Sequence, residues 1–353
     1  MIRRQFFRLL LLFPLLGLAG LPVAPPSAGK LPQNPARIVA VGDLHGDFDI
    51  WLAIARAAGL VNAAGHWSGG RTTLVQTGDI VDRAPDSLKI IRHLMQLERE
   101  AARAGGKVVV LVGNHEAMMM TGDLRYTVPG EFAAFADARS ARRRDDFYAT
   151  HVAAIEVFYR RRDATLSPAA IREKWIQETP LGMIEHQAAW SPSGAIGRWT
   201  IGHAAVVQIG DTLFVHGGIS PAFAAVPTEE INRRVAAALT ARETAATSII
   251  NDPLGPLWYR GLAGLAPEGT APAAPRPPVR VELDRLLALR GLQRIVIGHT
   301  PLLSGVAVLE DGHLARIDSG DSRAYAGHPG YLEIIAGRAV ARPVARPATD
   351  RGK

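Results

Sequence analysis

Short runs of aliphatic and β-branched residues recur along the chain, each closing on a glycine and polar side chains: Arg37–Val41, Thr73–Gln76, Lys107–Val112, Leu213–Val215 and Arg294–Ile297. Such runs have almost no polar face, so they predict strands covered on both sides. Between the first two, Phe48, Trp51, Leu52, Ala55 and Ala58 recur at helical spacing, and Leu88, Ile91, Met95 and Ala102 do so before Gly105-Gly106. Both segments predict amphipathic helices. Strands alternating with helices build βαβ units and a layered α/β sheet, and the polar residues after each strand collect on one edge, where such sheets bind ligands.

From about Ala117 to Ala205 the pattern changes. Phe132 to Arg162 is rich in helix formers and arginine, including Arg142-Arg143-Arg144 and Arg160-Arg161-Arg162. This predicts a mostly helical insertion whose arginines either coat a solvated face or rim a phosphate site. Ala263 to Pro278 reads as a Pro/Ala/Gly-rich loop, and Val340 to Lys353 as a frayed, disordered basic tail. At the N-terminus, Arg3, Arg4 and Arg8 precede the apolar run Leu9 to Ala24, broken by Pro14 and Pro22, and small residues follow to Gly29. That order predicts a signal peptide over residues 1–28 and an exported, periplasmic protein, with an N-terminal membrane anchor as the alternative. Arg3-Arg4-Gln5-Phe6-Phe7 also resembles a twin-arginine export signal.

Composition narrows the chemistry. The 353 residues are 48% hydrophobic and 21% charged, enough to bury a large core. There is no cysteine, which excludes disulfides, cysteine-ligated zinc, iron–sulfur clusters and thiolate nucleophiles. The net charge is +7, but three of those charges lie in the leader, so nucleic acid is not an expected partner.

Five blocks pair acids, histidines and arginines with glycine at the predicted strand ends: Gly42-Asp43-Leu44-His45-Gly46, Gly78-Asp79-Ile80-Val81-Asp82-Arg83, Gly113-Asn114-His115-Glu116, His216-Gly217-Gly218 and Gly298-His299-Thr300. Two divalent metals sharing a water need oxygen and imidazole ligands from several strand ends, with one carboxylate between them. In this order the blocks resemble the calcineurin-like metallophosphoesterases, and the Asp-Arg ending with His-Gly-Gly resembles their phosphoprotein phosphatase branch. Gly122-Asp123-Leu124-Arg125-Tyr126 and Gly255-Pro256-Leu257-Trp258-Tyr259-Arg260 look like the Shewanella-like phosphatases. The resemblance covers about residues 36–336. Asp321 in Asp318-Ser319-Gly320-Asp321 departs from it, since relatives often carry an uncharged residue there.

The resemblance implies an α/β fold with a central β-sandwich flanked by helices and an inserted helical subdomain at about 117–205. It implies that Asp43 and His45 bind one metal, that Asp79 bridges both, and that Asn114, His216 and His299 complete the second site. Three imidazoles favour manganese, iron or zinc. A metal-bridging hydroxide would attack phosphorus in line. Arg83 and Arg260, with Asn114, would bind the phosphate, structural ion pairing being the alternative for the arginines. His115 would be the general acid, held by Asp82, unless Asp82 merely caps the helix near Pro85. The expected activity is metal-dependent hydrolysis of phosphate monoesters, on phosphoprotein or small-ester substrates. A dinucleotide polyphosphate hydrolase and a non-catalytic phosphate- or metal-binding relative are the rivals.

Overall fold

The computed structural model describes residues 35–266 and 278–347. The expected signal peptide and most of the Ala263–Pro278 loop lie outside them. Strand β1 (Arg37–Val41) is followed by helix α1 (Phe48–Ala57), β2 (Thr73–Gln76), α2 (Ser87–Arg103) and β3 (Lys107–Val110). β3 stops short of Val112 because Val112 bonds the Ala204 carbonyl and Leu111 bridges to Ala204. Then come six helices: α3 (Asn114–Thr121), α4 (Pro129–Ala133), α5 (Ser140–Arg160), α6 (Pro168–Glu178), α7 (Met183–Trp190) and α8 (Ala195–Ile201). The chain continues through β4 (Val206–Ile209), β5 (Thr212–Val215), α9 (Thr228–Ala241), α10 (Val279–Arg290), β6 (Arg294–Ile297), β7 (Ala307–Leu309), β8 (Leu314–Arg316), β9 (Gly330–Ile335) and β10 (Arg338–Pro343).

These strands form two five-stranded mixed sheets, in the orders β10-β9-β1-β2-β3 and β4-β5-β6-β8-β7. Strands β1, β2 and β3 run parallel, with β3 at the sheet edge, as do β5, β6 and β8. Alternation along each strand makes the sandwich. Ile38 and Ala40 of β1 pack with Val75, Leu332 and Ile334 against Phe214, Val296 and Ala315 of the second sheet. Their neighbours Val39, Val41, Leu74, Leu213, Val215, Ile295 and Ile297 face the helices instead. Each such side chain removed from water contributes about 1.5–3 kcal/mol, which holds four layers in register. On the helical layer Trp51 donates to His93 Nδ1 at 2.8 Å and His93 Nε2 lies 2.6 Å from the Gly65 carbonyl, so this histidine is a satisfied core residue.

The expected frayed tail is corrected at its start. Val340 to Pro343 belong to β10, which pairs with β9 in the register Val340↔Glu333. The open edge of β9 presents backbone donors and acceptors that need partners, and Arg342 adds a 2.9 Å bond to Glu333. Residues 348–353 lie outside the described part. In the inserted helices, Ile155, Tyr159, Ile171 and Trp175 of α5 and α6 form a separate small core. The arginines there are engaged locally: Arg142 with Asp146, Arg143 with Asp137 and Glu185, Arg160 with Glu156, and Arg162 over Phe158. These pairs neutralise much of the charge on that face.

Candidate active site

The five glycine-containing blocks meet at one end of the sandwich, where the strands hand over to tight turns. His45, Asp79, Asp82, Arg83 and His299 all have positive φ, between 42° and 71°. Such backbone costs about 1–3 kcal/mol per residue and persists only where surrounding bonds over-determine it. Two glycines are dictated by the carboxylates. A Cβ on Gly113 would stand 2.3 Å from Asp79 Oδ1, and one on Gly298 would stand 2.6 Å from Asp43 Oδ1.

Backbone carbonyls set the imidazole tautomers. His45 Nδ1 lies 3.0 Å from the Val81 carbonyl and His216 Nδ1 lies 2.9 Å from that of Thr77, so in the neutral rings Nδ1 donates and Nε2 keeps its lone pair. Both Nε2 atoms turn toward Asp79, at 3.8 Å from Oδ2 for His45 and 3.3 Å from Oδ1 for His216. His216 Nε2 is also 2.9 Å from Asn114 Oδ1. Asp43 Oδ2 lies 3.9 Å from His45 Nε2, and its two oxygens accept the His299 N–H at 3.1 and 3.2 Å. His299 Nε2 is buried without a hydrogen-bond partner. Burial, then the neighbouring His216, holds His299 well below the usual histidine range, and burial with His115 brings His45 down to about 3.

Imidazole nitrogens and carboxylate oxygens from the blocks thus crowd one buried spot, and although burial opposes the charged His216 ring, Asp79 outweighs it and raises His216 above its ordinary value. Such a donor set suits a divalent cation, and among the described residues two groups have the reach: His45, Asp79 and His115, and Asp79, His216 and His299, each with ligand atoms within 4.8 Å of one another. Asp79 belongs to both. Asp43 stands beside the first group and Asn114 beside the second. Burial, then Asp318 and Asp79, pushes Asp43 well above the ordinary carboxylate range, the penalty expected where carboxylates crowd in a site built for positive charge.

His115 occupies the edge of the first group. Its Nδ1 lies 2.6 Å from Asp82 Oδ2 and its Nε2 3.7 Å from Asp79 Oδ2. Burial opposes the charged ring, but Asp79 and Asp82 outweigh it and raise His115 above its ordinary value. Asp82 does not cap α2; its other oxygen accepts from Thr127 Oγ1 at 2.9 Å. The Arg83 guanidinium lies between two rings, 4.4 Å from Tyr126 and 5.0 Å from Tyr325, with its Nε buried and without a hydrogen-bond partner. Arg260 is close enough to His299 to lower its pKa, and Trp258 meets His299 edge-on at 5.6 Å.

A model of the calcineurin-like phosphoesterase family matches residues 36–303. The chain belongs to the calcineurin-like phosphoesterases. Shewanella-like protein phosphatase 2 of Arabidopsis thaliana is 31% identical over 326 residues, covering 89% of this chain and 80% of that protein. An uncharacterised Schizosaccharomyces pombe protein is 31% identical over 86% of this chain and 78% of its own length. Among solved structures, the cold-active protein-tyrosine phosphatase of a psychrophilic Shewanella species superposes with a TM-score of 0.62 over 88% of this chain and 80% of that one, at 23% identity, and so shares the fold. The chain is therefore a phosphatase of the Shewanella-like kind, with histidine and aspartate groups placed to bind divalent metal.

Several residues at the site escape motif reading. Glu116 accepts three buried backbone donors, Asp79 N–H and Ile80 N–H at 2.8 Å and Gly113 N–H at 2.9 Å, tying two of the blocks together. Asp47 caps α1 and grips Arg323 through both oxygens, at 2.8 and 3.0 Å, which draws the 318–323 loop to the first block. In that loop Asp318 is buried with Oδ2 unpartnered, and burial raises it to about 6. The departing residue Asp321 is buried too and accepts the Ser319 hydroxyl. Asp318 lies two residues beyond β8, so the strand-end rule would have found it had that strand been recognised.

Proposed function

We propose that this chain is a binuclear-metal phosphomonoesterase acting on phosphorylated side chains of polypeptides. The observation that carries the reading is the convergence of the His45, His216 and His299 rings on the Asp79 carboxylate, with His115 and Asp82 beside them. Asp43, His45 and Asp79 would hold one cation, and Asp79, Asn114, His216 and His299 the other. The donor set of three imidazoles suits manganese, iron or zinc. Cations held there would supply a lower pKa for bound water and charge withdrawal from phosphoryl oxygens.

The chain's own residues do the rest. Arg83, Arg260 and Asn114 orient the phosphoryl group, the guanidiniums by two-point contact. His115 gives the proton on Nε2 to the departing oxygen while Asp82 holds Nδ1–H and fixes the ring. Clefts of about 200 Å³, lined by Met118, Gly122 and Trp258, and about 330 Å³, lined by Gly122, Leu124, Phe132, Phe158 and Trp175, both reach the loop that begins at Gly122. They offer room for the residues flanking a phosphorylated one, which supports a polypeptide over a small ester. Tyr126 and Tyr325 flanking Arg83, and the tyrosine phosphatase name of the Shewanella structure, favour phosphotyrosine. The basic-then-apolar leader supports a working place outside the cytoplasm, checked by N-terminal sequencing for loss of about the first 28 residues.

The test is phosphate release by metal-stripped protein before and after addition of manganese, iron or zinc, on phosphotyrosine peptide, phosphoserine peptide and diadenosine polyphosphate. Metal-dependent release, fastest from phosphotyrosine, is expected. Preference for the dinucleotide would support the rival hydrolase, and no release from any substrate would leave a non-catalytic relative.

A further inference from the structure

Asp82 and Arg83, placed above beside the acid and the phosphate, are consecutive non-glycine residues at φ 71° and 69°. L-residues avoid this region because Cβ crowds the following carbonyl, so the turn must be held from outside. One short stretch does so. The Tyr126 carbonyl accepts the Arg83 N–H at 3.1 Å, Thr127 Oγ1 donates to Asp82 Oδ1 at 2.9 Å, and Glu131 Oε1 accepts the Asp82 N–H at 3.1 Å. The buried Glu131 carboxylate also accepts the Ser87 hydroxyl at the start of α2 and, through Oε2, the Val128 N–H at 3.1 Å. Helix α4 presses close to the same turn: a Cβ on Gly130 would come within 2.4 Å of Pro85 Cβ.

We propose that Glu131 is a positioning residue for the phosphatase reaction. By joining the Asp82 N–H to Ser87 and to the first turn of α4, it keeps the Asp82-Arg83 turn in its left-handed conformation. That conformation aims the Asp82 carboxylate at His115 Nδ1 and sends the Arg83 guanidinium between Tyr126 and Tyr325. Glu131 lies outside all five glycine blocks and touches none of the proposed metal ligands. Its loss should therefore disturb the acid and the phosphate clamp together while leaving the metals in place. The inference rests on the roles given to His115, Asp82 and Arg83 under the proposed function.

The experiment compares Glu131→Ala, Glu131→Gln and Gly130→Ala with the parent protein, all metal-loaded and assayed below their unfolding temperatures. Glu131→Ala should lose roughly 10- to 100-fold in kcat on an alkyl phosphate, as misplacement of reacting groups does. Its loss on p-nitrophenyl phosphate, whose leaving group needs little protonation, should be smaller, inhibition by inorganic phosphate weaker, and metal content unchanged. Glu131→Gln, which keeps one oxygen for the Asp82 N–H, should recover part of both effects. Gly130→Ala, which pushes α4 away from Pro85, should reproduce them with the carboxylate intact. Equal losses on the two substrates with phosphate inhibition unchanged, in whichever of the variants fold, would overturn the inference and leave Glu131 a structural residue. A parent protein without metal-dependent release from either substrate would overturn the proposed function instead.

Discussion

Replacing Glu116 by glutamine tests how the site's strained turns are held. The carboxylate accepts Asp79 N–H and Gly113 N–H on Oε2 and Ile80 N–H on Oε1, all buried. An amide has one acceptor oxygen. Its best orientation gives that oxygen to Asp79 and Gly113 and turns the NH2 toward Ile80 N–H, leaving a buried donor unmade at about 1–3 kcal/mol. The two surviving bonds also lose their charge assistance, about 1 kcal/mol each. An opposing effect comes from electrostatics: burial, then the Asp79 charge, raises the Glu116 pKa, so removing its charge relieves repulsion in metal-free protein. We expect Glu116→Gln to cost about 3–5 kcal/mol with metal, where bound cations would have neutralised that repulsion, and less than that without metal. Urea unfolding followed by circular dichroism, with chelator and with manganese, measures both. A variant within about 0.5 kcal/mol of the parent in both states, the usual range of an inconsequential surface change, would refute the clamp.

His115→Asn should keep its metals yet lose roughly 10²- to 10⁴-fold on an alkyl phosphate and far less on p-nitrophenyl phosphate, with Asp82→Asn following more weakly; equal losses on both substrates would contradict the acid role. Arg83→Lys and Arg260→Lys should each lower kcat/KM and weaken phosphate inhibition, because lysine keeps the charge but not the planar contact. An Arg260→Lys enzyme matching the parent in both would remove Arg260 from the site. His186, in contact with Phe132 and Phe135, is held at about 3 by burial, whereas in the unfolded chain it titrates near its ordinary value. The unfolded chain then carries the extra proton between about pH 6.5 and 3, so this group alone removes about 1.4 kcal/mol of stability per pH unit as pH falls through that window. His186→Leu should flatten the acid limb of the stability profile accordingly, and parallel profiles would sink the assignment.

β1, β2, β5 and β6 were legible because each is buried on both faces and reads as an apolar run closing near a glycine, and β3, though at the sheet edge and half-buried on one face, keeps the same run. The missed strands lack that mark for identifiable reasons. β7 and β8 are three residues each, β4 carries the exposed Gln208, and β9 contains Glu333, which survives there by pairing with Arg37 at 2.7 Å and with Arg342. In β10 the arginines at 338 and 342 imitate a disordered tail, and only the partner edge of β9 reveals a strand. The same division runs through the site. Asp43, His45, Asp79, His216 and His299 sit in turns just after their strands, and Asn114 opens α3 four residues beyond β3, so local pattern exposes them. Tyr126, Thr127, Glu131 and Tyr325 reach the site from loops or the short helix α4, whose placement depends on packing between distant segments. Glu116 stood in a recognised block, but its three backbone contacts required knowing how close the second and third blocks come.

The most direct test of a two-metal centre joined by Asp79 is metal stoichiometry in parallel with activity for the parent and Asp79→Asn, after confirming by circular dichroism that both are folded. The parent should hold two manganese, iron or zinc ions per chain and release phosphate from p-nitrophenyl phosphate. Asp79→Asn should hold fewer than two and lose at least ~10²-fold in rate, as when a metal-activated nucleophile is lost. A folded Asp79→Asn protein that binds two metals and turns over like the parent would contradict the account.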